Sequence, residues 1–300
     1  MGRTGPNSAP GHLDLGHIKR RRSDLAAAAA ECRQALRIKP EYGPAYVEIG
    51  DIELDKKEYS KASEDFHHAI TLSPDSTRAW LGLSTVHLRQ DRTAEAEQEA
   101  DRALTLSPAS AWGHELRGNI KRRQNDLPAA LADYRRAVEL NPALSIVRRS
   151  IVYVETRQHQ YEAALADAQL ATNGQPGTAV DYFQLLVWSL RSRLGQPADA
   201  DRQLAAYLTA RPRTVDSEWF EHVGAFVLGR ETEEAFRAQA ESGDGKSVDG
   251  RRCEAWYYAG LKALLAGDKT GAAERFHRCV DTGQKDFYEH NLAEAELSTL

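Results

Sequence analysis

Cysteine is scarce in this 300-residue chain: Cys32, Cys253 and Cys279 are the three it has. A small, odd number cannot build a disulfide framework, and a reducing compartment suits these thiols best. Long apolar runs are missing as well. No stretch of about eighteen apolar residues occurs, which excludes a membrane-spanning helix. Residues 1–15 hold Pro6, Pro10, Asp14 and three glycines but no apolar segment of the signal-peptide kind. As written the chain is expected in the cytoplasm; a leader upstream of Met1 would instead place it, anchored, in the periplasm at the outer membrane. Met1-Gly2 could invite myristoylation, but Pro6 stands where Ser or Thr is required. Excess charge of one sign is also absent. With 39 Lys and Arg against 44 Asp and Glu, the formal net charge of -5 gives no overall attraction to duplex nucleic acid. Runs of β-branched residues are rare too, while alanine clusters throughout, so the composition reads as helical.

Proline is confined to recurring places. Pro40, Pro74, Pro108, Pro142 and Pro176 follow one another at intervals of 34 residues. Similar phrases lead into them: Ala-Leu-Arg-Ile-Lys-Pro, Ala-Ile-Thr-Leu-Ser-Pro, Ala-Leu-Thr-Leu-Ser-Pro, Ala-Val-Glu-Leu-Asn-Pro and a degenerate Ala-Thr-Asn-Gly-Gln-Pro. Proline lacks an amide hydrogen and disfavours helical geometry in the residue before it, so each marks the end of one helix and the turn into the next. The 34-residue period resembles the tetratricopeptide repeat. Residues 43–76 fit it best, through Tyr46, Ile49-Gly50, Ala62, Phe66, Ala69 and Pro74. Trp80, Leu83, Ala96, Ala103 and Pro108 make the next repeat, and Gly118, Ala130, Tyr134, Ala137 and Pro142 the one after. A weaker first repeat starts near Ala9, with Leu15, Gly16, Ala28, Ala35 and Pro40. A fifth carries Ile151, Ala164, Ala168, Ala171 and Pro176. Residues 179–212 form a sixth with Tyr182, Leu185, Ala200 and Pro212, its turn Leu194-Gly195-Gln196-Pro197 about two residues longer than the period asks. Small residues such as Gly50 and Ala62 let two antiparallel helices approach, and aromatics fill the gaps between hairpins. One hairpin cannot bury its apolar face alone, whereas six in register share an elongated core. The expected fold is all-α, a right-handed superhelical solenoid of antiparallel helix pairs. Residues 1–10 would be a flexible tail, 11–212 the array of about six repeats, and 213–300 a C-terminal part.

In that C-terminal part Trp219-Phe220, Phe226-Val227-Leu228-Gly229 and Thr232-Glu233-Glu234 read as a helical hairpin whose second helix Thr232 caps. Ser242 to Gly250, rich in Gly, Asp and Ser, reads as a connecting loop. Trp256, Gly260, Ala272 and Phe276 then restore the pattern as a seventh repeat over 253–286, without its proline. A last helix, Phe287 to Leu297, sets Leu292 and Leu297 on one side and Glu289, Glu294 and Glu296 elsewhere, as a polar cap would. Trp219, Leu228-Gly229, Thr232-Glu233-Glu234, Glu254, Tyr257-Tyr258, Gly260, Leu265, Gly267-Asp268, Phe276, Phe287, Glu289-His290 and Glu296-Leu297 together resemble the C-terminal part of the NlpI-type bacterial TPR lipoproteins. That resemblance implies an adaptor that gathers peptidoglycan hydrolases and a processing protease. The chain departs from the type in having no lipid-attachment cysteine near Met1.

In such repeats the inner wall is lined by positions 2, 5, 6, 9, 12 and 13 of each first helix. Those positions hold His17, Arg20 and Arg21, then Arg78 and Arg89, then Asn119, Arg122 and Arg123, then Arg149, Tyr153 and Arg157, and finally Arg191. Arginine pairs carboxylates in a bidentate way, so the expected ligand is an acidic segment of another protein, gripped by Arg78, Arg89, Asn119, Arg122, Arg123, Arg149, Tyr153 and Arg157. Repeat two breaks the trend with Glu48, Asp51 and Asp55, which could hold a basic residue of the partner or pair with the neighbouring arginines. The chaperone-tail clamp is not expected, because Asn119 alone matches its residue set. Gly245-Lys246-Ser247 looks like the end of a phosphate-binding loop, but Ala240 stands where its upstream glycine must be. His67 and His68 are adjacent and point apart, so they are no metal pair. Cys253 and Cys279 fall at neighbouring ends of one hairpin, as a redox bridge or as two packed thiols. No catalytic set, metal or cofactor is expected. The functional expectation is a non-catalytic scaffold for protein partners; the alternatives are a regulatory or substrate-binding subunit of an enzyme complex and an assembly piece that self-associates as a homodimer.

Overall fold

Each 34-residue step folds as two helices joined by a three-residue turn, and the turn has one recurring backbone device. In a computed structural model, which describes residues 5, 7–172, 178–211, 218–242, 245–285 and 287–300, Ser23, Lys57, Asp91, Asn125 and His159 adopt φ between 56° and 62°. They are 34 residues apart. Each sits just past a first helix, and the next amide reaches back five residues, as Glu58 N does to Glu53 O at 2.8 Å and Arg92 N to His87 O at 2.9 Å. This is the Schellman closure, which satisfies the last carbonyls of a helix and reverses the chain. In the sixth hairpin the same place falls to Gly195, two residues late against the period, as the longer turn requires.

The helices pair as α1 (Ala9–Arg21) with α2 (Leu25–Ile38), α3 (Gly43–Asp55) with α4 (Tyr59–Leu72), α5 (Thr77–Arg89) with α6 (Thr93–Leu106), and α7 (Ala111–Arg123) with α8 (Leu127–Leu140). These four hairpins belong to one compact unit, Met1–Leu144. The second unit, Ser145–Leu300, holds α9 (Ser145–Arg157), α10 (Tyr161–Ala171), α11 (Thr178–Arg193), α12 (Pro197–Ala210), α13 (Glu218–Val227), α14 (Glu233–Ala240), α15 (Gly245–Leu265), α16 (Lys269–Asp281) and α17 (Tyr288–Leu297). Among the described residues there is no strand, and no helix is long and apolar enough to cross a membrane. The chain is an all-α solenoid of helix pairs. Pro40, Pro74, Pro108 and Pro142 stand in the turns after the second helices; Pro176 and Pro212 lie outside the described residues.

Within hairpins, and at Gly82 between two of them, the packing is aromatic on glycine. Phe66 of α4 is fully buried, and its ring lies where a Cβ on Gly50 would come within 2.9 Å and one on Gly82 within 2.3 Å. Gly118 with Tyr134 and Gly260 with Phe276 repeat the arrangement, each leaving 2.7 Å for an added Cβ. Glycine here permits helices to approach closely enough for one ring to touch two of them.

The C-terminal part departs from expectation in two places. The loop expected over 242–250 is shorter, because α15 already begins at Gly245. Thr232 caps α14 as expected, its hydroxyl accepting from Ala235 N at 3.2 Å. The last helix was expected to show its acids to water, yet Glu289 is 3% exposed and Glu296 8%. Both face the interior of the second unit, where cations and hydroxyls replace solvent.

Candidate functional site

The inner wall of the first unit carries its charges in pairs made across hairpins. Glu48 of α3 is buried at 1% exposure, forms an ion pair with Arg20 Nε of α1 at 3.0 Å and accepts from Arg78 Nη2 of α5 at 2.8 Å. Arg78 also bonds Asp51, Arg20 reaches Asp55 at 3.5 Å, and His17 Nδ1 lies 3.4 Å from Glu48. Burial raises the Asp51 carboxyl above its ordinary range, and the guanidinium groups of Arg78 and Arg20 pull against that rise. The acidic break in repeat two therefore bridges three successive first helices from within, the second of the two readings its sequence allowed.

Further along the same wall the side chains are more open. Arg89 at the end of α5 is exposed. Arg122 is half-buried, and Arg123 donates to Leu88 O at 2.9 Å and pairs with Asp91, clipping the end of α5 to α7. Asn119 Oδ1 accepts from the Tyr134 hydroxyl at 2.9 Å, which ties it to its own hairpin. Trp112, at the second position of α7 and so on the wall by the repeat's own spacing, is 39% exposed. Its neighbour Glu115 has a carboxyl raised by burial.

In the second unit the inner wall is covered by the unit's own helices. Tyr153 of α9 is 5% exposed, its ring 5.7 Å from that of Tyr288 on α17. The Arg149 guanidinium lies 5.9 Å from the Tyr288 ring centre, and Arg157 caps Tyr153 at 5.8 Å. Arg193 of α11 pairs with Glu296 of α17 at 2.5 Å. Across the same interior Glu254 of α15 accepts from Tyr182 Oη at 2.8 Å and Trp219 Nε1 at 2.6 Å. Burial raises the Glu254 carboxyl, and that of Glu289 well above its usual range. Arg149 and Tyr153, expected on an open groove, thus pack against α17, and Arg157, expected there too, lies over Tyr153. The signal that could have shown this is the stripe Tyr288, Leu292, Glu296 at i, i+4 and i+8, one face of a helix carrying an aromatic, an aliphatic and an acid.

The remaining candidates resolve simply. His67 Nδ1 lies 2.7 Å from Ser63 O and His68 stacks on Tyr46 at 4.9 Å. Residues 245–247 form the first turn of α15. Cys253 and Cys279 are free, buried thiols with sulfurs 3.3 Å apart.

Paired helices, glycine-seated aromatics and a wall of first helices define a helical-repeat protein. Residues 47–111 and 116–183 match the family model of the tetratricopeptide repeat, and over those residues the chain carries tetratricopeptide repeats (TPRs). No curated protein matches it in sequence. Among solved structures it is similar to that reported for the functional characterization of Pseudomonas aeruginosa pilF, with 19% identity over 71% of this chain and 96% of the other at a TM-score of 0.59. PilW, a type IV pilus biogenesis factor, is similar at 20% identity over 69% and 96%, TM-score 0.58. A tetratricopeptide repeat protein from Parabacteroides merdae follows at 13% identity over 96% and 98%, TM-score 0.54. At these identities the likeness is one of fold. None of these matches carries the NlpI-type resemblance of the C-terminal part.

Proposed function

We propose that this protein is a non-catalytic scaffold that holds a partner protein on the inner wall of its first unit, and that the segment held there is acidic. The observation that supports this is the open end of that wall, where the exposed Arg89 and Trp112 stand on adjacent first helices, α5 and α7. An exposed guanidinium seeks a carboxylate in bidentate geometry, and a part-exposed indole supplies rigid apolar area of the kind found at interaction hot spots. Arg20 and Arg78, by contrast, are already neutralised by Glu48, Asp51 and Asp55, so the acid-binding capacity lies towards α7.

A pull-down with the full chain tests this reading. Arg89→Glu combined with Trp112→Ala lowers capture of protein partners at least tenfold, and wild-type capture weakens as salt rises from 0.05 to 0.5 M, about threefold to thirtyfold by screening alone. Undiminished capture by the double variant overturns the reading. Envelope hydrolases, the partners implied by the C-terminal resemblance, are one class that the same pull-down scores by mass spectrometry. The role of PilW as a pilus biogenesis factor makes assembly components a second class to score.

A further inference from the structure

We propose that the inner wall of the second unit is a receptor for an amphipathic acidic helix, and that α17 fills it as a stand-in which a helix of a partner protein replaces. This inference stands apart from the role of the first unit, because it rests on different helices and on a contact already made.

The geometry of α17 defines what the wall accepts. Tyr288 enters between Arg149 and Tyr153 and packs against the apolar cluster of Val152, Phe183, Leu186, Val187 and Leu190. One turn on, Leu292 is 2% exposed. One further turn on, Glu296 meets Arg193, whose guanidinium is itself seated 5.5 Å from the centre of the Tyr161 ring. The wall therefore presents an aromatic slot edged by one cation, an aliphatic step, and a second cation held rigid by an aromatic. A partner helix that fits it carries a tyrosine, an aliphatic residue at i+4 and a carboxylate at i+8.

Two observations make α17 a replaceable occupant. It is 10 residues long and too short to be a stable helix in water without the wall. Its fit is also imperfect: Tyr288 Oη, His290 Nδ1 and Arg193 Nε are buried with no hydrogen-bond partner among the described residues. A helix that satisfied those atoms would bind the wall better than α17 does, and mass action would then exchange the two.

The test uses the full chain and a fluorescent synthetic peptide with the sequence of residues 285–300. Glu296→Lys in the chain breaks the Arg193 pair and loosens α17, so the peptide binds this variant at least tenfold more tightly than it binds wild type, read by fluorescence anisotropy. A peptide in which tyrosine 288 is replaced by alanine loses that binding. Hydrogen exchange of the wild-type chain supplies a readout that needs no variant: α17 amides exchange faster than those of α15 through an opening that leaves α15 protected. Absence of peptide binding to a folded Glu296→Lys chain overturns the proposal. So does α17 exchanging in step with α15, which would make it part of the core.

Discussion

Gly82 shows how little room a single position has. It lies on the inner side of α5, outside the small-residue sites that the repeat pattern names, and a Cβ there would meet the buried Phe66 ring at 2.3 Å. Alanine is the better helix former by up to about 1 kcal/mol, but the ring is enclosed and cannot retreat, so overpacking outweighs propensity. Gly82→Ala should therefore destabilise the first unit by about 1–2 kcal/mol in urea denaturation; a variant as stable as wild type would mean that Phe66 is free to move. His87 and Glu99 make a second residue-scale case. They lie 2.8 Å apart, their side chains 8% and 13% exposed. Burial lowers the imidazole from its usual value and pushes the carboxyl up to about 8, so burial favours the neutral pair, the acid donating to Nδ1. The sign follows: an acid with a raised folded pKa contributes stability in full below its unfolded value, about 4.3, and that contribution is lost as pH climbs through about 8. Glutamine donates to Nδ1 without titrating. Glu99→Gln should match the wild-type melting temperature at about pH 4 and exceed it increasingly towards pH 9; parallel melting profiles would show that Glu99 ionises freely in the fold.

At the scale of helices, most of the hairpins were legible because their signals are local. Proline after each second helix and a small residue at each close contact follow from the backbone chemistry of one turn, and they recur at 34 residues whatever the flanking sequence. The αL residue of the inner turn was less legible, since Ser23, Lys57, Asp91, Asn125 and His159 share a conformation and no side-chain type. Burial that depends on distant partners was not legible at all. Glu289 and Glu296 look like the solvated side of a terminal helix until Arg193, more than ninety residues earlier, is placed against Glu296. Glu48 and Asp51 look like a docking patch until Arg20 and Arg78 close on them from the neighbouring helices. Of the arginines picked out by position, Arg78, Arg89 and Arg123 are exposed, and nothing in the repeats themselves tells Arg89 from the other two, which pair with carboxylates.

For the molecule as a whole, the two units use the same helical hairpin to different ends. In the first, the wall of first helices keeps an open cationic and aromatic surface at α5 and α7. In the second, the corresponding wall is covered by α15 and α17, and buried carboxylates face tyrosines, tryptophan and arginine there. The central claim is that the first unit grips a partner on its inner wall. Hydrogen–deuterium exchange of the full chain, with and without the partner recovered by pull-down, tests that claim most directly. Slowed exchange should be concentrated in α5 and α7, with α4 and α6 on the outer side unchanged; slowing confined to α4 and α6, or none in α5 and α7, would contradict it.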